Sequence, residues 1–238
     1  MNGRSAPTER PAAGGLRALL APRCIACAHA AGNPLCAACA TDFFAADVRR
    51  CRQCALRLPL GTATEVCAEC LRAPPQFDTT AALADYRPPV SGMVLALKYG
   101  HRLELARVFG RLLATRLRRD DVADALLAPV PLAFERQAER GFNQAQQIAR
   151  SLAGALRLSL HADLLLRTRH TPAQESLTRD ARRRNLRGAF AVHREVAGRT
   201  VAVIDDVMTS GGTLGEIARV LKAAGAARVI NLIVARTP

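Results

Sequence analysis

The chain has 238 residues, half of them hydrophobic, with only 4% aromatic residues and no tryptophan; it can hold one medium domain plus a small one, around a core mainly of Leu, Ala and Val. No apolar run approaches a membrane span, and the short patch Leu16 to Ala21 is too brief for a secretory signal, so a cytoplasmic location is expected. The net charge is +14, and all but two of the 34 basic residues are arginine, which suits an anionic ligand, nucleic acid, or both.

Residues 1–22 combine Pro7, Pro11, Gly14 and Gly15 with little to bury and read as a disordered arm. Residues 23–73 hold all eight cysteines as four Cys-x-x-Cys pairs: Cys24/Cys27, Cys36/Cys39, Cys51/Cys54 and Cys67/Cys70. Two thiolates three residues apart grip one zinc from a tight knuckle, and two knuckles complete a tetrahedral site, so eight ligands make two sites. A disulfide framework would use the same number but needs an oxidising compartment, and no export signal is present. Sequential pairing keeps the loops short; an interleaved cross-brace uses the same residues. Closed four-thiolate sites are structural and fold a segment too small to build its own core. Pro74 and Pro75 are expected to form a hinge to a second domain spanning 77–238.

From Phe77 the pattern alternates. Thr79 to Tyr86 reads as strand, Val90 to Lys98 and Arg102 to Leu117 as helices, and Leu126 to Val130 as a short strand. Phe142 to Leu156 reads as helix, and Leu164 to Leu166 and Arg228 to Val234 as strands. Such alternation predicts an α/β fold, a mostly parallel sheet with helices on both faces. Lys98, Tyr99 and Gly100 close one helix with a cation, an aromatic and a flexible residue. Either Lys98 snorkels at a helix terminus, or a glycine turn and Lys98 hold pyrophosphate. The stretch from Pro129 to Gln144 is read as a loop carrying Phe134, Arg136 and Arg140. It is either a charged surface loop with an Asn143 cap, or a flap over a phosphate-bearing ligand. From Arg167 to Arg199 there are nine arginines, including Arg182, Arg183 and Arg184 in a row. The run is a solvated face or a contact for a nucleic-acid backbone; with only nine Phe and Tyr in the chain, such a contact would be mainly electrostatic.

The most informative stretch is Val201 to Thr213. Val201 to Ile204 suits a strand buried on both faces, with Asp205 and Asp206 at its carboxyl end, where ligands of open α/β sheets bind. Thr209, Ser210, Gly211, Gly212 and Thr213 follow as a loop of hydroxyls and bare backbone, opening a helix from Leu214 to Ala224. The first-turn amides and helix dipole favour an anion there, and the glycines let it approach closely. Two carboxylates beside a phosphate make sense only if the ligand also brings hydroxyls or a metal ion. A sugar phosphate meets that condition, its diol on the acids and its phosphate on the loop. The motif is neither a Walker A loop nor a dinucleotide fingerprint.

This unit resembles the signature of type I phosphoribosyltransferases, which bind phosphoribosyl pyrophosphate (PRPP). The motifs LKYGHRLELA, PVPLAFERQAERGFNQA, TPAQESLTRDARRRNLRGAF and VAVIDDVMTSGGTL, in this order behind a cysteine-rich ribbon, resemble the ComF family and its relative, the GntX group. The resemblance implies a type I phosphoribosyltransferase-like domain behind a double zinc ribbon, associated with competence, DNA uptake and single-stranded DNA. It implies PRPP bound along Val207, Met208, Thr209, Ser210, Gly211, Gly212 and Thr213, with the ribose on Asp205 and Asp206. Lys98, Tyr99 and Gly100 would meet the pyrophosphate, Arg136 and Arg140 would fold over the bound PRPP, and Mg2+ would bridge ribose and pyrophosphate oxygens. Asp205 and Asp206 would be catalytic in phosphoribosyl transfer, and no histidine stands out as activator of the acceptor. One departure is His101, where the family commonly has glycine.

Overall fold

A computed structural model describes residues 22–45, 48–169 and 185–238. The expected arm, apart from its last residue, and the run Arg182, Arg183 and Arg184 lie outside the described residues. In chain order the elements are α1 (Ala37–Phe43), α2 (Ala68–Arg72), β1 (Thr79–Asp85), α3 (Val90–Tyr99), α4 (Glu104–Arg116), α5 (Arg119–Val122) and β2 (Leu126–Pro129). They continue with α6 (Phe134–Arg140), α7 (Gln144–Leu156), β3 (Leu165–Arg167), β4 (Phe190–Val192), β5 (Thr200–Met208), α8 (Gly212–Ala223) and β6 (Arg228–Arg236).

Four strands form a parallel sheet in the order β1-β6-β5-β2. Val201 to Ile204 are wholly buried because helices or the ribbon cover both sides, which is why this strand reads as a continuous apolar run. Ala202, Ile204, Leu232 and Val234 face a core shared with α3, α4 and α7. Val201, Val203, Val229 and Ile233 face the other core, where Leu214, Ile217 and Leu221 of α8 pack. Each such side chain contributes roughly 1.5–3 kcal/mol by leaving water. On the first face α4 and α7 pack closely at Gly110, where an added Cβ would stand 2.5 Å from Ser151 Cβ and 2.7 Å from the Ile148 carbonyl oxygen.

The amino-terminal ribbon repeats one layout twice. A knuckle carries the first cysteine pair between bridged residues, Arg23 with Ala30 and Arg50 with Arg57, and the second pair starts a short helix, α1 or α2. Both knuckles put an alanine in the left-handed region, Ala28 (φ 60°) and Ala55 (φ 58°). The first repeat packs on α4 through an edge-on contact of Phe44 with Phe109, centroids 6.1 Å apart. The second closes the β1 edge of the sheet: Thr80 N donates to the Arg52 carbonyl at 2.9 Å, and Asp85 pairs with Arg50 at 2.7 Å and with Arg57. The expected hinge is thus a packed junction, because the exposed edge strand would otherwise present unpaired amides.

Three expectations are corrected. The stretch from Pro129 to Gln144 contains the helix α6, ended by Gly141 in the left-handed conformation (φ 73°), rather than an open loop. The strand at Leu164 to Leu166 does not join the parallel sheet: β3 pairs antiparallel with β4, a strand too short to be legible. Finally, β5 runs on through both acids to Met208, because its neighbour β6 continues beside it as far as Arg236.

Candidate functional site

The cysteines form two groups, Cys24, Cys27, Cys36, Cys39 and Cys51, Cys54, Cys67, Cys70, with the sulfurs of each within 4.8 Å of one another. This is the sequential pairing. Sulfurs about 2.3 Å from a tetrahedral zinc stand about 3.8 Å apart; Cys27 and Cys36 are 3.8 Å apart, and Cys54 and Cys67 3.6 Å. Backbone amides aim at sulfur, Cys36 N to Cys24 Sγ at 3.4 Å and Cys67 N to Cys51 Sγ at 3.3 Å. Burial raises the Cys24 thiol, but the amides of Cys36, Cys27 and Ala26 outweigh it and bring the group down to about 6. The Cys51 thiol comes down to about 7 against the same burial, through the amides of Cys54 and Cys67. Burial and neighbouring sulfurs raise Cys39, Cys54 and Cys70. Each group therefore gathers more sulfur than it can ionise without a cation, and both fit structural zinc.

The second site lies at the carboxyl ends of the parallel strands. Asp206 projects towards α3, is 3% exposed, and pairs with Lys98, Nζ to Oδ2 at 2.6 Å. Asp205 projects to the opposite face and is part-exposed. Its enclosure, then the Asp206 charge, push its carboxyl well above the ordinary range, against the Asp206 amide and Lys98. The alternation slips after the acids: Val207 packs with the first core and Met208 with the second. The two acids therefore do not present a matched pair of free acceptors. Asp205 is the more exposed of the two, with its Oδ1 accepting from the Asp206 amide at 2.9 Å, and Asp206 is neutralised from within.

Thr209 is exposed, and Ser210, Gly211, Gly212 and Thr213 are part-exposed. Gly211 precedes α8 in the left-handed conformation (φ 76°), and no side chain caps the helix. Among the described residues no side chain is recorded accepting from the first-turn amides of this 12-residue helix, which a Thr or Ser at the cap position would have done.

Next to Lys98, Tyr99 connects the acids to the third predicted stretch. The Arg140 guanidinium lies over its ring at 4.7 Å, Nη2 donates to Tyr99 Oη at 3.0 Å, and Nη1 donates to Gln144 Oε1 at 3.2 Å. Arg140 is 6% exposed, its Nε has no partner, and among the described residues no carboxylate pairs with it. Arg136 is exposed on α6 and is not drawn into this group. Asn143 is a cap: its Oδ1 accepts from Ala145 N and Gln146 N, and its Nδ2 donates to the Val130 carbonyl at 3.0 Å. Gly100 leaves α3 with φ −93°, and the left-handed position falls on His101 (φ 52°), where a glycine would sit without strain.

Sequence reasoning overlooked Arg236. It is buried at the end of β6, its Nε donates to the Cys54 carbonyl at 2.9 Å, and its Nη1 donates to the Met208 carbonyl at 3.2 Å and to that of Thr209. The signal available was a second arginine at the end of a mainly apolar strand, RVINLIVAR.

Comparison with known proteins agrees with this geometry. Residues 105–238 match the phosphoribosyl transferase domain family, and residues 15–71 match the double zinc ribbon domain. The DNA utilization protein YhgH of Escherichia coli O157:H7 is 36% identical over 197 residues, covering 80% of this chain and 86% of that protein. Competence protein F of Haemophilus influenzae is 32% identical over 215 residues, covering 85% and 92%. With both domains matched in order and these relatives aligned over most of their length, the chain belongs to the ComF family of phosphoribosyltransferase-like proteins.

Proposed function

We propose that the domain at 77–238 binds PRPP and transfers its phosphoribosyl group to an acceptor, in the service of DNA uptake or utilisation in the cytoplasm. The observation that carries this reading is the Arg140 guanidinium, buried without a carboxylate partner among the described residues, at the same end of the sheet as the N-terminus of α8 that no side chain caps. A buried cation without a counter-ion is costly, and an anionic ligand removes the cost. The 5′-phosphate sits on Thr209 to Thr213, the diol on Asp205, and the pyrophosphate between Lys98 and Arg140. As Lys98 turns towards pyrophosphate, Asp206 is released to the ribose. Among the described residues the only groups of three or more potential metal ligands are cysteines; magnesium arriving with PRPP would be held chiefly by the ligand's own oxygens, with Asp205 the carboxylate to help hold it, and would supply positive charge against the pyrophosphate. In transfer, the bond from the anomeric carbon to pyrophosphate breaks and its electron pair leaves with pyrophosphate. An acceptor nitrogen supplies the pair for the new bond and loses a proton. Titration calorimetry with PRPP and magnesium tests the reading: heat that disappears when Asp205→Asn and Asp206→Asn are combined supports it, and no heat from the unmodified chain overturns it.

A second reading, contact with single-stranded DNA and its uptake or recombination proteins, has its own observation. A groove between α4 and α7 is lined by Arg107, Arg111 and Arg150, with no acid among its lining residues. Binding there is electrostatic and weakens steeply with salt. Filter binding at two salt concentrations checks it, and affinity indifferent to salt sinks it.

A further inference from the structure

We infer that the second zinc site sets the conformation of the phosphate loop, with Arg236 as the positioning residue that joins them. The inference deepens the PRPP reading, since it assumes that the loop at 209–213 receives a phosphate.

Two contacts run from the second ribbon to the loop. The polar one is Arg236, which ties the carbonyl of the zinc knuckle residue Cys54 to the carbonyls of Met208 and Thr209. Met208 O also accepts from Thr237 N at 3.0 Å. In a trans peptide the carbonyl and the following amide point in opposite directions. Holding the Met208 and Thr209 carbonyls on Arg236 therefore turns the amides of Thr209 and Ser210 away from it. The apolar contact is Phe77 and Met208, which share a core with Cys51, Cys54 and Cys70. Met208 Cε lies 2.6 Å from where a Cβ on Gly211 would stand, and Phe77 Cζ 3.9 Å. The residue that starts α8 thus rests on side chains that the second ribbon packs.

Among the described residues no hydrogen bond runs from the first ribbon to the Met208 or Thr209 carbonyl. It packs in the other core, which includes Val207 and Ala235, and it meets α4 through Phe44 on Phe109 and the Arg116 donation to the Phe44 carbonyl. Removing zinc from the second site frees the Cys54 carbonyl, and with it one anchor of Arg236. Removing zinc from the first leaves that anchor in place.

Coupling between two sites is reciprocal, so the intact protein tests it without substitution. During chelation, differential alkylation of the cysteines reads each zinc site separately, and hydrogen exchange reads the amides of 209–213. Loop exchange is expected to rise in step with alkylation at Cys54 and not at Cys27. Exchange that follows Cys27, or stays unchanged when the second zinc has gone, overturns the inference. Ribose 5-phosphate as probe is expected to slow alkylation of Cys51, Cys54, Cys67 and Cys70 about fivefold or more, leaving the first four cysteines unaffected.

Substitution then isolates the arginine. Arg236→Met is expected to retain both zinc ions, raise exchange at 209–213 and weaken ribose 5-phosphate about tenfold, with inorganic pyrophosphate binding unchanged. Arg236→Lys restores part of the loss. Arg50→Met, which cuts another contact of the same ribbon, leaves the loop as it is. Equal exchange and affinity in Arg236→Met and the unmodified chain overturn the inference. Absence of ribose 5-phosphate binding to the unmodified chain overturns the PRPP reading alone, since the exchange measurement needs no ligand.

Discussion

Lys98 Nζ stands 2.6 Å from Asp206 Oδ2, joining the last turn of α3 to the carboxyl-terminal end of the site strand β5, with the two side chains only 18% and 5% exposed. A carboxylate so placed depends on its partner. Replacing Lys98 by Met leaves the charge buried and unpaired, with an expected cost of about 3–5 kcal/mol in chemical denaturation at pH 7. Adding Asp206→Asn recovers most of it. A loss below about 1 kcal/mol would show the pair behaving as a solvated surface bridge.

Asp205 titrates against stability. Its carboxyl is raised by enclosure and by Asp206, so the folded chain keeps a proton that the unfolded chain has already released. The stability it contributes is complete below the unfolded carboxyl's range and is lost as pH rises through the raised folded value. Asp205→Asn removes that loss and is expected to raise the melting temperature at pH 8 by about 2–4 °C. It should flatten the decline in stability as pH rises above the ordinary carboxylate range and cost ribose 5-phosphate affinity. Parallel melting curves of the two proteins across that range check it; an unchanged slope contradicts it.

Arg140 predicts the reverse balance of stability and binding from that of Lys98. Because its guanidinium has no carboxylate partner among the described residues, Arg140→Met is expected to change folding stability by no more than about 1 kcal/mol. Pyrophosphate affinity should fall about tenfold to a hundredfold, the worth of charge-assisted hydrogen bonds. Arg140→Lys does not rescue it, lacking the planar fork that spans Tyr99 Oη and Gln144 Oε1. Calorimetry with pyrophosphate decides.

Zinc uptake releases protons. In the first site Cys24 is brought down to about 6, while Cys27 and Cys39 are raised, so about two or more protons leave per zinc bound at pH 7. Affinity accordingly falls as pH drops. Calorimetry in buffers of differing ionisation enthalpy measures the number, and a value near zero would mean that the thiols are not the ligands.

Much of this was legible because short-range chemistry left its own marks. The Cys-x-x-Cys pairs announce zinc knuckles by spacing alone, and the apolar run before Asp205 announces a strand buried on both faces. The helix α6 was not legible: FERQAER has only Phe134 and Ala138 as apolar residues, and Phe134 is exposed rather than part of a buried stripe. Nor was the slip after Asp206, since nothing local tells a regular strand from one whose alternation breaks. The environment of Asp206 escaped for a related reason, because Lys98 is over a hundred residues away and the pair exists only once α3 lies across β5.

By itself the sequence determined the residue chemistry: two four-thiolate sets, an alternating α/β domain, and an acid pair followed by a hydroxyl-glycine loop. These follow from periodicity and spacing, which act over a few residues. Only the tertiary structure decided that one acid is more exposed and the other neutralised, that Arg140 is buried against Tyr99, and that Arg236 connects a zinc knuckle to the loop before α8. Such features depend on which strand lies beside which. In the order β1-β6-β5-β2 the end of the chain returns between the first and third strands of the sheet, and brings Arg236 between residues 28 and 182 positions away.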